Sequence, residues 1–144
     1  MKYLLDTCLI SELVKEKPNA GVVDWIEQQD EAKLFLSVLT IGELQKGIAK
    51  LPSGKKKSQL LDWLDDDLQT RFNGRILDID YAIAALWGTI QGEARQRGRS
   101  MPVIDSLLAA TALANQLAIV TCNGVDMIES GVELVNPWED PLNR

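Results

Sequence analysis

The chain has 144 residues, no histidine, two cysteines and a formal net charge of −6, from 15 lysines and arginines against 21 aspartates and glutamates. Without histidine there is no Ser-His or Cys-His catalytic pair and no imidazole metal ligand, and two cysteines cannot complete a four-ligand zinc site. Any chemistry therefore falls to carboxylates, helped by hydroxyls, amides and a hard metal ion.

Length and composition predict one domain, residues 1–144, in the cytoplasm. A hydrophobic fraction of 46% is enough for a buried core. Two cysteines make a poor disulfide framework, which favours a reducing compartment. No apolar run reaches the roughly 20 residues that a membrane span needs. The net negative charge is unlike that of a typical nucleic-acid-binding domain.

Short apolar runs alternate with helical patterns along the chain. The first strand, residues 3–5, is followed by a helix that Asp6 or Thr7 caps. Thr40 is predicted to begin the helix after the second strand, and Asp80 to cap the helix after the third. The predicted strands cover residues 3–5, 34–38, 75–77, 117–120 and 132–135, and the predicted helices about 7–15, 18–26, 40–50, 55–69, 81–97 and 104–115. This alternation predicts an α/β fold with a mostly parallel sheet.

Four acidic residues lie just beyond these strands or on the helices next to them. Asp6 directly follows the first strand, and Glu43 lies in the first turn of the helix after the second. Asp105 begins the helix that leads into the fourth strand, and Asp126 follows that strand. Right-handed crossovers bring such positions to one sheet edge, where ligands of α/β sheets bind. Carboxylates gathered there repel unless a cation neutralises them, and oxygen ligands favour Mg²⁺ or Mn²⁺.

Each of these acids also has a purely structural interpretation. Asp6 suits a helix N-cap, and Thr40 with Glu43 suits a capping box. Asp105 suits the positive end of a helix dipole, and Asp126 suits the cap of a short turn. The joint placement at one sheet edge favours a site. Other acids are assigned to capping or to solvated helix surface, namely Asp78, Asp80 and 65–67.

Four segments carry a recognisable pattern in a fixed order: LDTCLISE at 5–12, SVLTIGEL at 37–44 followed by Gly47-Ile48, MPVIDSLLAATA at 101–112, and VTCNGVDM at 120–127. Together they resemble the PIN domain family, especially its small toxin ribonucleases of VapC and FitB type. The segments span nearly the whole chain, and their combination is specific where each alone is modest.

The resemblance implies a three-layer α/β/α fold and a Mg²⁺- or Mn²⁺-dependent endoribonuclease that leaves a 5′-phosphate. Asp6, Glu43 and Asp105 match the acidic core of the family, and Asp126 matches its more variable fourth acid. All four are therefore expected to be catalytic and to hold the metal. The polar residues expected to bind substrate or to support these acids are Thr7, Thr121 and Asn123. The resemblance also implies an antitoxin protein as partner and a homodimer.

Two cysteines depart from the family pattern. Cys8 stands where the family often has Asn, and Cys122 stands where it often has Arg. The second departure removes a cation near the expected phosphate path. Both cysteines follow strands at the same edge, which allows a disulfide, but buried free thiols fit a cytoplasmic protein better.

RNA binding needs cations, and two segments supply them, Lys46–Lys57 and Arg95–Arg99. Each is either an RNA contact or solubilising surface. Trp63 and Trp87 fit apolar helix patterns, which favours packing over base stacking.

Two other functions stay open. A phosphoacceptor signalling domain also places acids, a threonine and Mg²⁺ at the edge of a parallel sheet, but paired early acids and a late lysine are not evident here. A PIN-fold module that binds RNA or protein without cleavage would not need four acids.

Overall fold

The computed structural model describes residues 1–139, which contain a five-stranded, fully parallel sheet in the order β3-β2-β1-β4-β5. The strands are β1 Lys2–Leu5, β2 Leu34–Ser37, β3 Ile76–Leu77, β4 Leu117–Val120 and β5 Leu134–Val135. All five predicted strands are confirmed, and the last is shorter than the predicted 132–135.

The helices flank this sheet on both faces. They are α1 Thr7–Leu13, α2 Ala20–Glu27, α3 Val38–Ala49, α4 Lys55–Asp62, α5 Gln69–Arg71, α6 Tyr81–Gln96 and α7 Val103–Ala114. Short 3₁₀ helices cover Glu31–Lys33 and Val125–Ser130, and a π-helical turn, Trp63–Leu68, joins α4 to α5. The helix predicted over 55–69 is therefore helical throughout, but its second half is a π-helical turn and not a regular α-helix. None of the helices within residues 1–139 is long and apolar enough to cross a membrane.

Strand β1 lies at the centre of the sheet and is buried on both faces. Leu4 and Leu5 are both fully buried, and their side chains belong to different hydrophobic clusters, as alternation along a strand requires. Leu5 packs with residues of α1 to α4, whereas Leu4 packs with Leu108 of α7. Helix α6 packs on α7 through a third cluster. The predicted three-layer α/β/α fold with a parallel sheet is confirmed.

Helix α3 begins earlier than predicted. Ser37, the last residue of β2, is its N-cap, and the Ser37 hydroxyl accepts a hydrogen bond from the Leu39 N–H at 3.0 Å. The prediction that Thr40 begins this helix is wrong, because the serine at the strand end already satisfies a free amide of the first turn. Thr40 is instead fully buried inside that turn.

The segment after β5 returns to the start of α2. Gly21 permits this approach, since a Cβ atom there would come within 2.8 Å of the Pro137 carbonyl oxygen. The Trp138 indole N–H donates to Glu12 at 3.3 Å. The Trp138 contact holds the end of the described chain against the C-terminal part of α1, where Glu12 lies. Asp6 lies at the other end of this helix, as its N-cap.

Candidate active site at the carboxyl edge of the sheet

Asp6 lies where β1 ends and α1 begins, and both of its carboxylate oxygens are hydrogen-bonded. Oδ1 accepts from the Thr7 N–H at 2.7 Å, and Oδ2 accepts from the Thr121 hydroxyl at 2.7 Å. The Asp6 backbone N–H donates to the Val120 carbonyl oxygen at 2.9 Å, which continues the pairing of β1 with β4. Asp6 is therefore an N-cap, as the structural interpretation predicts, and its carboxylate is also held at the sheet edge.

Glu43 does not form the capping box. Its Oε1 accepts a hydrogen bond from the Thr7 hydroxyl at 2.7 Å, across 36 residues of sequence. The capping-box interpretation, in which Glu43 would return to the Thr40 backbone N–H, is wrong because Ser37 caps α3 one turn earlier. Thr7 thus connects the helix that follows β1 to the carboxylate on α3.

Thr121 follows β4 and is 2% exposed. Besides donating to Asp6, its oxygen accepts the Asn123 N–H at 3.2 Å. Asn123 enters this arrangement through its backbone, and its side chain is exposed. Thr121 therefore fixes both the first acid and the turn that leads to the fourth.

Asp105 lies in the first turn of α7, which has no side-chain cap. Its neighbour Ser106 is fully buried and accepts hydrogen bonds from the Trp87 indole N–H at 2.9 Å and the Gln91 amide at 2.7 Å. These two residues of α6 thereby fix the start of α7. Sequence reasoning missed this role of Ser106, although a serine inside an apolar helix was a usable signal.

Three of the four acids act electrostatically on the fourth, Asp105. Burial raises the pKa of the Asp105 carboxyl above its ordinary value, and the negative charges of the other three acids raise it further. Those three, in order of effect, are Asp6, Asp126 and Glu43. Asp126 contributes from the first turn of the 3₁₀ helix after β4, where it is exposed. The structure therefore places all four predicted acids in one region.

The four acids offer only carboxylate oxygens as metal ligands, and such ligands suit Mg²⁺ or Mn²⁺. In the part of the chain from Met1 to Glu139, no three acidic or thiol side chains stand close enough together to form a preassembled metal cage. Such a cage is not what Mg²⁺ ordinarily takes, since it keeps several waters and uses one or two carboxylates. The residues are compatible with such a water-rich site.

The two cysteines lie beside Asp6. The Cys8 Sγ accepts the Cys122 backbone N–H at 3.1 Å and stands 3.6 Å from the Thr121 hydroxyl and 3.9 Å from Asp6 Oδ2. Burial first, and then a hydrogen bond with the Cys122 side chain, raise the pKa of Cys8 to about 12. Both thiols are free, as expected, but Cys122 is exposed rather than buried. A neutral Cys8 adds no further negative charge to the site.

The two basic segments are used differently. Lys57 donates to the Ala49 and Leu51 carbonyl oxygens at 3.3 and 3.2 Å, at the C-terminal end of α3. Arg97 and Arg99 pair with Glu129 at 3.3 and 3.5 Å. These three cations have structural partners. Trp63 and Trp87 pack against the hydrophobic clusters as predicted, and Trp87 also binds Ser106.

The chain matches known proteins over nearly its whole length. The family model of the PIN domain matches residues 3–127. The toxin FitB of Neisseria gonorrhoeae is 36% identical over 137 residues, which cover 95% of this chain and 99% of FitB. A VapC ribonuclease of Sinorhizobium fredii, Y4jK, is 32% identical over 136 residues, which cover 94% of this chain and 97% of that protein.

The same likeness holds in three dimensions. The crystal structure of FitAcB from Neisseria gonorrhoeae aligns with a TM-score of 0.91 at 35% identity, over 96% of this chain and 99% of the other. Three findings agree. The family model matches most of the chain, two relatives are more than 30% identical, and the fold is shared. The chain belongs to the PIN domain family.

Proposed function

We propose that this protein is a Mg²⁺- or Mn²⁺-dependent endoribonuclease and the toxin of a toxin–antitoxin pair. The observation that carries the proposal is the placement of four acids at the carboxyl edge of the sheet, where burial first and then the charges of Asp6, Asp126 and Glu43 raise the pKa of Asp105. Its relatives FitB and Y4jK are named as a toxin and as a VapC ribonuclease. Unbalanced carboxylates in one region fit a site that is completed by a cation.

Asp6 and Asp105 would hold the metal most directly, with Glu43 and Asp126 completing the site. A bound divalent ion supplies an activated water and neutralises charge on the phosphate. The chain's own hydroxyls orient the carboxylates: Thr121 holds Asp6 Oδ2, and Thr7 holds Glu43 Oε1. These bonds direct each acid without neutralising it.

Glu43 has a second role in this proposal. Its Oε1 is occupied by the Thr7 hydroxyl, while Oε2 has no hydrogen-bond partner among residues 1–139. Oε2 can therefore accept a proton from the attacking water, as a positioned general base does. Attack by water on the phosphodiester leaves a 5′-phosphate on one fragment and a 3′-hydroxyl on the other.

An antitoxin partner, a homodimer and a cytoplasmic location belong to the same proposal. They rest on the likeness to FitB and to the VapC ribonucleases. So does the prediction that residues 1–144 form one domain, of which 140–144 lie outside the described residues.

The experiment compares the wild type with Asp6→Asn by sequencing of RNA 5′ ends after induced expression. Asparagine also serves as an N-cap, so the variant should fold. New 5′-phosphate ends should appear with the wild type only, and the purified enzyme should lose cleavage in EDTA and regain it with Mn²⁺. A melting-temperature rise with Mn²⁺ in the wild type, reduced in the variant, reports the metal without reference to activity. Cleavage that survives EDTA, or an active Asp6→Asn variant, would contradict the proposal.

A further inference from the structure

A groove opens beside Glu43, between α3 and the start of α7. Its volume is about 480 Å³, within the roughly 300–1,000 Å³ range of ligand sites. One wall is apolar and consists of Val38, Leu39 and Ile104. Glu43 is the one site acid that lines the groove, and Ile104 directly precedes Asp105 in α7.

Two lysines extend this groove away from the acids. Glu43, Lys46 and Lys50 follow one another at helical spacings of three and four residues, so they share one face of α3. At 1.5 Å per residue, the lysines stand about 4.5 Å and 10.5 Å along the helix axis from Glu43. The groove therefore passes from negative to positive charge over two turns of one helix.

Neither Lys46 nor Lys50 takes part in contacts that hold the fold together. Both are exposed, and neither ammonium group forms a hydrogen bond or ion pair with another of the described residues. Lys57 and Arg97, by contrast, are occupied by backbone or carboxylate oxygens. Both cations that line the groove are therefore available for an external anion.

The space beside α3 is open. Gly42 and Gly47 also line the groove, and a Cβ atom at either would meet no atom within 4 Å. A volume of about 480 Å³ has room for a group larger than water between the lysines and the apolar wall.

We propose that this groove is the subsite for the RNA strand that flanks the bond to be cleaved. Lys46 and Lys50 pair with successive backbone phosphates, and the wall at Val38, Leu39 and Ile104 contacts the intervening nucleotide. The inference rests on the proposed nuclease function and adds the direction of the strand, along α3 from Glu43 towards Lys50. An acidic protein segment fits less well, because its charged carboxylates would face the apolar wall, which a base or ribose can contact.

The test replaces the two charges by an uncharged polar side chain one atom shorter, in Lys46→Gln/Lys50→Gln. Lys55→Gln/Lys56→Gln removes the same charge from the exposed start of α4 and serves as the matched control. Both pairs are placed in the Asp6→Asn background, and binding of a short mixed-sequence, fluorescein-labelled single-stranded RNA is measured by anisotropy across KCl concentrations. Loss of two phosphate contacts should reduce the slope of log Kd against log salt by about 1.4, since each contact contributes roughly 0.7. The control should keep the wild-type slope.

In the active background the groove pair should raise KM with kcat near the wild-type value, and Lys46→Arg/Lys50→Arg should restore KM. Equal slopes for the groove pair and the control would overturn the proposal, because net charge alone would then explain binding. Unchanged RNA binding with weakened antitoxin binding would also overturn it and would assign the groove to a protein partner. Melting temperatures near the wild-type value show that each variant is folded.

The subsite and the nuclease proposal can fail separately. If the wild type binds RNA through these lysines but cleaves none with Mn²⁺, the proposed activity fails and the subsite stands. If the wild type cleaves RNA and the groove pair leaves KM unchanged, the subsite fails and the activity stands.

Discussion

Glu12 is a buried carboxylate and Asp105 a partly buried one, and their surroundings are opposite. Glu12 accepts hydrogen bonds from the Lys15 ammonium, the Asn19 N–H and the Trp138 indole at 3.0, 3.1 and 3.3 Å. The Lys15 hydrogen bond, followed by the Asn19 N–H, lowers the pKa of Glu12. Asp105 faces other acids, and its pKa is raised. The first arrangement stabilises the charged form in the fold, and the second opposes it.

Glu31 repeats the first arrangement. Arg71 donates to both of its carboxylate oxygens, at 2.7 and 3.2 Å, and lowers its pKa. Acids that hold the structure together are thus matched by cations or N–H groups. At the sheet edge, Asp6 and Glu43 accept hydroxyl hydrogen bonds that orient them, and none of the four acids pairs with a cation among residues 1–139. Acids that are gathered without such compensation indicate where a cation is needed.

Removing a site acid should have the largest effect. Asp105→Asn keeps the side-chain shape and removes one of the four repelling charges. Cleavage should fall at least about a hundredfold, the lower end of what a positioned acidic or basic group contributes. The free energy of unfolding in EDTA should rise at neutral pH, because the charged form is disfavoured there. Cleavage assays and urea unfolding measure the two effects, and a less stable but active variant would contradict this account of the site.

The second largest effect is expected from Ser106, the neighbour of Asp105 that joins the start of α7 to α6. Ser106→Ala removes an acceptor in the α6–α7 interface: the Trp87 indole N–H loses its partner, and the Gln91 amide keeps only its bond to the Met101 carbonyl oxygen. The free energy of unfolding should fall by about 1–3 kcal/mol. The Mn²⁺ concentration for half-maximal cleavage should rise, because the first turn of α7 is no longer fixed to α6.

Thr89→Ala is the matched control for this loss of a hydroxyl. Thr89 is exposed on α6 and donates only to the carbonyl oxygen one turn earlier. Its removal should change stability by no more than about 0.5 kcal/mol. If both variants lost the same stability, the Ser106 hydrogen bonds would not be what fixes α7.

The position of the acids could be predicted from the sequence, but their contacts could not. Strand ends and crossover handedness predict that Asp6 and Asp105 reach one edge of the sheet, since these rules act on the backbone. The bond from Thr121 to Asp6 joins residues 115 apart and depends on side-chain conformers that no local pattern specifies. Glu43 shows the same limit, because its capping-box spacing was satisfied in sequence while Thr7 binds it in the structure.

The first residue of a helix is also hard to predict from sequence when two candidate N-cap residues lie close together. Ser37 and Thr40 both offer a hydroxyl near the start of α3, and by propensity either residue could be its N-cap. The choice depends on where β2 leaves the sheet, which is decided by pairing with β1 and β3. Asp80 has no competing hydroxyl nearby, and its prediction as the N-cap of α6 is confirmed by the bond from the Ile83 N–H at 2.9 Å.

Stability should also depend on pH in opposite ways for the two kinds of acid. Because the pKa values of Glu12 and Glu31 are lowered, their stabilisation is complete above the ordinary value of 4.5 and is lost as pH falls through the folded-state values. The pKa of Asp105 is raised, so its contribution is complete below 3.8 and is lost as pH rises through the folded-state value. Glu31 is half exposed, so its share is the smaller of the two stabilising ones.

Urea unfolding in EDTA across the acidic range measures these contributions. Glu12→Gln and Glu31→Gln should each flatten the loss of stability on acidification. Asp105→Asn should remove the loss that appears as pH rises above 3.8. Parallel stability curves for Asp105→Asn and the wild type would show that the repulsion among the four acids is negligible in the metal-free protein.

The smallest expected effect comes from Cys122, the exposed residue whose backbone N–H binds the Cys8 sulfur. Cys122→Arg leaves that backbone bond in place and adds one cation beside an acid cluster that has none. In the Asp6→Asn background, single-stranded RNA should bind more tightly, and the slope of log Kd against log salt should steepen by about 0.7 for one new phosphate contact. Cys122→Ser removes the thiol without adding charge and should leave the slope unchanged. If the arginine instead paired with the acids, the slope would stay constant and the Mn²⁺ requirement of the active protein would rise, because the cluster would then be compensated in the way that Glu12 and Glu31 already are.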